Sequence, residues 1–324
     1  MSDYKTLDKR LKSKEVVLLD GAIGTQLQKM GVPMSGTAWA ATALKTHPFT
    51  VRRMHENYVK AGCDVITVNT YSAAGCNLVP LGLGEEVREL NLRAVMLAMD
   101  ARDRYAKDRP VYIAGSVSNY GLRIGIEKNP KGYGYYDERV ETSEAQAKAY
   151  LREQAEILAE AGVDLMLAES TGGTTHRRWV FEACAATGLP VWAGFKVHQD
   201  KGAKVPKVGY HSEEPFAESF KSLIDFGPKA VCVFHSPIAA TNAALKIVQS
   251  NWKGPIGAYP EGERHDYIAV HRDRNEPIHV TPKEFVKTAK AWVADGVQII
   301  GGCCGIELDH IQPLREALPK RVPA

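Results

Sequence analysis

The 324-residue chain contains no stretch of 18 or more apolar residues, so no segment is expected to cross a membrane as a helix. Its opening, MSDYKTLDKRLKSKE, has no apolar core of the kind a secretory signal needs. Basic blocks with interleaved aromatics are also missing. The 41 Lys and Arg residues are scattered against 38 Asp and Glu, and a net charge of +3 leaves no footprint for nucleic acid. Six cysteines over this length do not make a disulfide framework, and a reducing cytoplasm is the expected compartment. Linkers, low-complexity tracts and clear internal repeats are absent, which points to one domain over residues 1–324 with a core of about 15–316. The segment DGAIGTQLQ is a poor match to a Gly-rich phosphate turn, which weighs against a doubly wound dinucleotide fold.

What the chain does contain is a repeated alternation. Short apolar runs at 16–20, 64–70, 111–117, 164–170, 191–197, 230–236, 255–260 and 297–302 read as strands buried on both faces. Amphipathic stretches at 48–62, 85–106, 143–162 and 282–296 read as helices, several closing on Ala-Gly or Asp-Gly as a C-terminal cap. Eight such strands with intervening helices is the count of an α/β protein of the (β/α)8 TIM barrel class. The segments 119–142 and 198–213 read as excursions over one face, and KRLKSKE at 9–15 as a solvated helix or loop. Cys63 and Cys184 read as small buried hydrophobes, while Cys76 lies in a loop near the expected site.

A barrel of this kind places its active site at the C-terminal ends of its strands. Those ends carry Asp20-Gly21, Asn69-Thr70-Tyr71, Ser116 with Asn119 and Tyr120 beyond it, Glu169-Ser170, His235, Tyr259-Pro260-Glu261 and Cys303-Cys304. A vicinal cysteine pair rarely bridges, because the ring it would close distorts the peptide. Two inert thiols, a redox pair and a metal site are the three readings of GGCCG. The flanking glycines favour a backbone shaped to present ligands, and two thiolates plus a third donor from another strand suit a catalytic zinc with one open position.

Taken together, LLDGAIGTQLQKMG, AGCDVITVNTYSA, AGSVSNYG, AGVDLMLAEST, GAYPEGE and GGCCGIELDHI resemble the homocysteine S-methyltransferase family over about residues 15–316. The resemblance implies a zinc-dependent barrel enzyme that moves a methyl group from an S-methylmethionine-like sulfonium donor, or an ammonium donor, to homocysteine, giving methionine. Its substrates are a small-molecule thiol and a methyl donor; no nucleic acid or membrane partner is implied, and a homo-oligomer is compatible with it. In that family the zinc lies on the two cysteines of GGCCG, here Cys303 and Cys304, and on a third cysteine at the end of strand six. This chain reads VCVFHSP there, so the third donor falls on His235, with Cys232 as the alternative; in an extended strand these two point to opposite faces. An imidazole in place of a thiolate makes the site less negative by one charge. The resemblance further implies that Glu169 meets the amino group of the acceptor and that Asp20 and Gly21 bind substrate. Asn69 and Tyr71 either orient a substrate or close the barrel mouth. Tyr71, Tyr120, Tyr259 and Glu261 are candidates by position for the cationic donor, and Trp39 either covers a methyl donor or packs in the core. Ser118-Asn119 stands where relatives often carry Gly-Pro. A barrel zinc hydrolase and a non-catalytic binder are the alternatives from other classes.

Overall fold

The computed structural model describes residues 4–122, 142–200, 202–210, 212–262 and 280–323. Eight parallel strands follow one another in the expected order: β1 (Val17–Leu18), β2 (Val65–Thr67), β3 (Tyr112–Ser118), β4 (Leu165–Ser170), β5 (Val191–Phe195), β6 (Ala230–Pro237), β7 (Ile256–Glu261) and β8 (Ile299–Ile300). Each pairs with its sequence neighbour, and β1 pairs with β8 through Val17↔Ile299 and Leu18↔Ile300. A parallel bridge between Leu19 and Val65 joins β1 to β2 and closes the ring. The chain is a single-domain (β/α)8 TIM barrel. Its first and last strands form only two-residue ladders, shorter than the apolar runs around them.

Alternate strand residues fill two different cores, as the two-residue period requires. Tyr112, Leu165, Leu167, Trp192, Cys232, Phe234 and Tyr259 pack the lumen. Their neighbours Ile113, Met166, Ala193, Val231 and Ala258 face outward into the layer covered by helices. Those helices include Pro48–Lys60, Val87–Tyr105, Glu144–Glu160 and Pro282–Ala294. The glycines expected to end the first and third do so in the left-handed region, Gly62 at φ +91° and Gly162 at φ +86°.

Two segments differ from expectation. Residues 9–15 are not simply solvated, because helix Tyr4–Lys12 plugs the N-terminal end of the lumen. Leu7 and Leu11, one turn apart, join the lumen core, and Trp192 Nε1 donates to the Tyr4 hydroxyl at 3.1 Å. The Lys and Arg residues around them mask this apolar pair in the sequence. The excursion after β5 contains a small antiparallel ribbon in which Val197 pairs with Val208 and His198 with Lys207. Most of the other excursion, residues 123–141, lies outside the described residues.

Candidate metal centre and active site

Strand β6 carries the feature on which the site depends. Phe234 pairs with Tyr259 and Pro237 with Glu261, so two residues of β6 oppose the single residue Pro260. His235 takes up this bulge at φ +42°, left-handed backbone that costs a non-glycine residue about 1 kcal/mol or more. The twist turns its ring into the barrel mouth directly above the lumen residue Phe234. Cys232 lies deeper in the lumen and is fully buried; its Sγ packs so tightly on β7 that a Cβ at Gly257 would stand 2.5 Å from it. Alternation sets positions 232 and 235 on opposite faces; the bulge overrides it and brings the histidine to the mouth.

The chain after β8 delivers the two cysteines. A Cβ on Gly302 would lie 2.2 Å from Ile306 Cγ2, and one on Gly301 would lie 2.8 Å from Asp20 O, so the backbone can follow this path only without side chains. Cys303 N donates to Pro260 O at 2.7 Å and Gly262 N to Cys304 O at 2.8 Å, which pins the segment against β7. Both thiols are free and half-buried, so the pair is not bridged.

One ligand atom from each of His235, Cys303 and Cys304 lies within 4.8 Å of the others. His235 Nδ1 is 3.2 Å from Cys303 Sγ. Ligand atoms on a tetrahedral zinc stand roughly 3.5–3.8 Å apart, given bonds of about 2.0–2.3 Å, so small side-chain adjustments bring all three onto one ion. The charges fit a cation as well. Hydrogen bonding from Cys303, with His235 nearby, draws Cys304 well below the ordinary thiol range while Cys303 moves up. His235 Nε2 is hydrogen-bonded to the Tyr210 hydroxyl. When Nδ1 ligates a metal beside the thiols, the proton belongs on Nε2, which then donates to Tyr210, the outer contact that orients a ligating imidazole. Glu261 Oε2 lies 3.5 Å from Nδ1, and the fully buried Lys196 lies 3.9 Å from Glu261 Oε1. Nothing in the sequence singled out Lys196 or Tyr210. The one available signal was a lysine inside the apolar run VWAGFKV.

Two buried carboxylates share this mouth. Glu169 is pushed up to about 7 by burial, which outweighs the hydrogen bond it accepts from Ser116 Oγ. Asp20 is pushed up to about 8 by burial, although it accepts from Thr67 N at 2.7 Å and Thr67 Oγ1 at 2.8 Å. A carboxylate held this way in apolar surroundings binds a cation at a gain, because pairing removes the penalty of its isolated charge.

The barrel, the GGCCG segment and the carboxylates gathered at one mouth match a known sequence family. The profile of the homocysteine S-methyltransferase family matches residues 17–318. The chain belongs to the homocysteine S-methyltransferase family. It is 26% identical to the selenocysteine methyltransferase of Astragalus bisulcatus, over 93% of this chain and 92% of that protein. Its identity to the homocysteine S-methyltransferase of Escherichia coli strain K12 is also 26%, over 94% of this chain and 96% of that protein. The crystal structure of the E. coli homocysteine methyltransferase MmuM in its metallated form superposes with a TM-score of 0.72 at 22% identity, covering 96% of this chain and 99% of that one, a likeness of fold. Membership of this family makes the chain a methyltransferase and displaces the hydrolase and non-catalytic readings.

Within this homocysteine S-methyltransferase fold the other candidates take distinct places. A Cβ on Gly21 would stand 2.5 Å from Ile306 O, so this glycine lets the loop after β8 cross the end of β1. Asn69 Nδ2 donates to Ala40 O at 2.9 Å and ties down the loop after β1, the mouth-closing alternative. Trp39, at φ +46°, covers Gly24 and packs on the helix-side core. Tyr71 is partly buried beside Cys303 at the top of the lumen, its ring 5.4 Å from that of Tyr120. Tyr259 is only 2% exposed and packs on Phe234 at 5.5 Å, which places it in the lumen and not on the rim. Among the described residues no helix is long and apolar enough to cross a membrane.

Proposed function

We propose that this enzyme transfers a methyl group from a cationic sulfonium or ammonium donor to the thiolate of homocysteine, giving methionine, with Zn2+ held by His235, Cys303 and Cys304. The observation that carries this reading is the convergence of those three donors beside the buried carboxylate Glu169. A bound Zn2+ supplies the Lewis acidity that keeps an acceptor thiol ionised at neutral pH.

The chain's own residues do the rest. Glu169 receives the acceptor's ammonium group and so fixes the direction of its side chain. Asp20, joined to β2 through Thr67 and held protonated at neutral pH by its burial, gives up its proton to add negative charge on the same side once a cation pairs with it. The faces of Tyr71 and Tyr120 accept the donor's positive charge. The new sulfur–carbon bond forms in line with the breaking bond to the donor, whose electron pair leaves with its sulfur or nitrogen. Charge is neutralised in that step, which a dry barrel mouth favours. An S-methylmethionine-like sulfonium is the preferred donor.

A second reading keeps the chemistry and changes the acceptor. An imidazole and the nearby ammonium of Lys196 make this centre less negative than three thiolates would be, which suits a more acidic nucleophile such as a selenol. A selenocysteine methyltransferase is among the relatives.

Incubating the zinc-loaded protein with homocysteine or selenocysteine and a panel of sulfonium and ammonium donors, with products read by mass spectrometry, tests both readings. Methionine formed only with a sulfonium donor supports the first; a selenocysteine preference supports the second. A protein that holds zinc yet methylates neither acceptor overturns them. Metal analysis adds a separate check: His235→Ala loses zinc and Cys232→Ser keeps it.

A further inference from the structure

Resting on the metal site proposed above, we infer that Lys196 is the positioning residue that makes a histidine serviceable as the third donor. Three contacts carry the inference. Lys196 Nζ donates to the backbone carbonyl of His235 at 2.8 Å. That carbonyl belongs to the left-handed residue of the β6 bulge, so the bond holds the one backbone turn that brings the imidazole to the mouth. Nζ also sits 4.2 Å from the centre of the Tyr210 ring, whose hydroxyl holds His235 Nε2. It lies 3.9 Å from Glu261 Oε1, and the other oxygen of that carboxylate lies 3.5 Å from His235 Nδ1.

One side chain therefore reaches the backbone of His235 and the groups that face each of its ring nitrogens. Lys196 is fully buried and directly follows β5, the strand beside β6. A lysine is rarely buried this completely without a partner that needs it. Its stem is long enough to cross from the end of β5 to the bulge. A thiolate at the third position would need neither a ring orientation nor a partner for a second nitrogen. The lysine thus answers a demand that only an imidazole creates.

The test is a double-mutant cycle on zinc affinity, measured by chelator competition for wild type, Lys196→Met, His235→Ala and the double variant. Lys196→Met is expected to weaken zinc binding tenfold or more in the wild-type background and less than twofold when His235 is already alanine. The cobalt-substituted Lys196→Met protein is expected to show visible bands moved toward those of His235→Ala. If Lys196→Met leaves affinity within twofold of wild type, or costs the same factor in both backgrounds, the inference is overturned, since a general structural role acts without His235. If His235→Ala itself leaves affinity unchanged, it is the assignment of the third ligand that fails. Should Lys196→Met not fold, Lys196→Gln, which keeps a donor without the charge, enters the same cycle and is judged by the same factors.

Discussion

His55 offers a prediction that depends on burial alone. It sits on helix Pro48–Lys60, fully buried, and neither ring nitrogen has a hydrogen-bond partner among the described residues. Burial lowers its pKa from 6.5 to about 4, because the charged ring has no compensation there. The sign follows directly. The unfolded chain takes up the proton near pH 6.5 and the folded protein resists until about pH 4, so stability is intact above pH 6.5 and is lost as pH falls toward 4. Between pH 7.5 and pH 5 the loss from this residue is about 2 kcal/mol, and it saturates at about 3 kcal/mol below pH 4. His55→Leu, close in volume, removes this component and also the desolvation cost of two unpaired nitrogens, about 1 kcal/mol or more. The assay is thermal unfolding of both proteins at pH 7.5 and pH 5. The variant should be the more stable at both, and its lead should widen by about 2 kcal/mol at the lower pH. A lead that does not change with pH would refute the reasoning, because it would mean that the buried ring finds a partner for its proton.

Ligand binding should follow the carboxylates. Methionine has no titrating sulfur, and its affinity should fall about tenfold from pH 8 to pH 6 as Glu169, held near 7, takes up its proton; calorimetry with Glu169→Gln should show weaker binding and a shallower profile. Gly257→Ala should cost about 1–3 kcal/mol in unfolding, with much of it recovered by adding Cys232→Ala, because the new methyl meets that thiol. Asp64→Ala should cost about 3 kcal/mol or more by thermal unfolding, since Asp64 accepts from Leu18 N at 2.9 Å and pairs with both Arg10 and Arg315.

The barrel was legible because parallel strands buried on both faces leave continuous apolar runs, and the polar residues where those runs stop mark the mouth. Cys303, Cys304, His235 and Glu169 could be picked out by that rule. Side-chain direction at the end of β6 could not. Two-residue alternation says that 232 and 235 oppose each other, and only the observed bulge decides which one reaches the mouth. Lys196 was hidden for a related reason. It stands one residue beyond the β5 ladder, where a charged side chain reads as a loop residue, yet its partners come from β6, β7 and the loop at Tyr210. Tyr259 stands at a strand end, and alternation turns its side chain into the lumen. The buried face of helix Tyr4–Lys12 lay in a Leu7/Leu11 pair concealed among basic residues.

At the seam where β1 meets β8 the ring is held by two paired residues on each side. Both outer segments of the chain are laced across it. Val16 N bonds to Lys320 O, Val322 N to Lys14 O, and Gln298 Nε2 to Leu11 O. Cys303 follows Ile300 by only three residues, so anything that loosens this lacing slackens the strand that presents the thiols. A tag or truncation that disturbs residues 4–16 or 315–322 therefore acts on the active site from the far end of the barrel, as a slipped drawstring opens a purse.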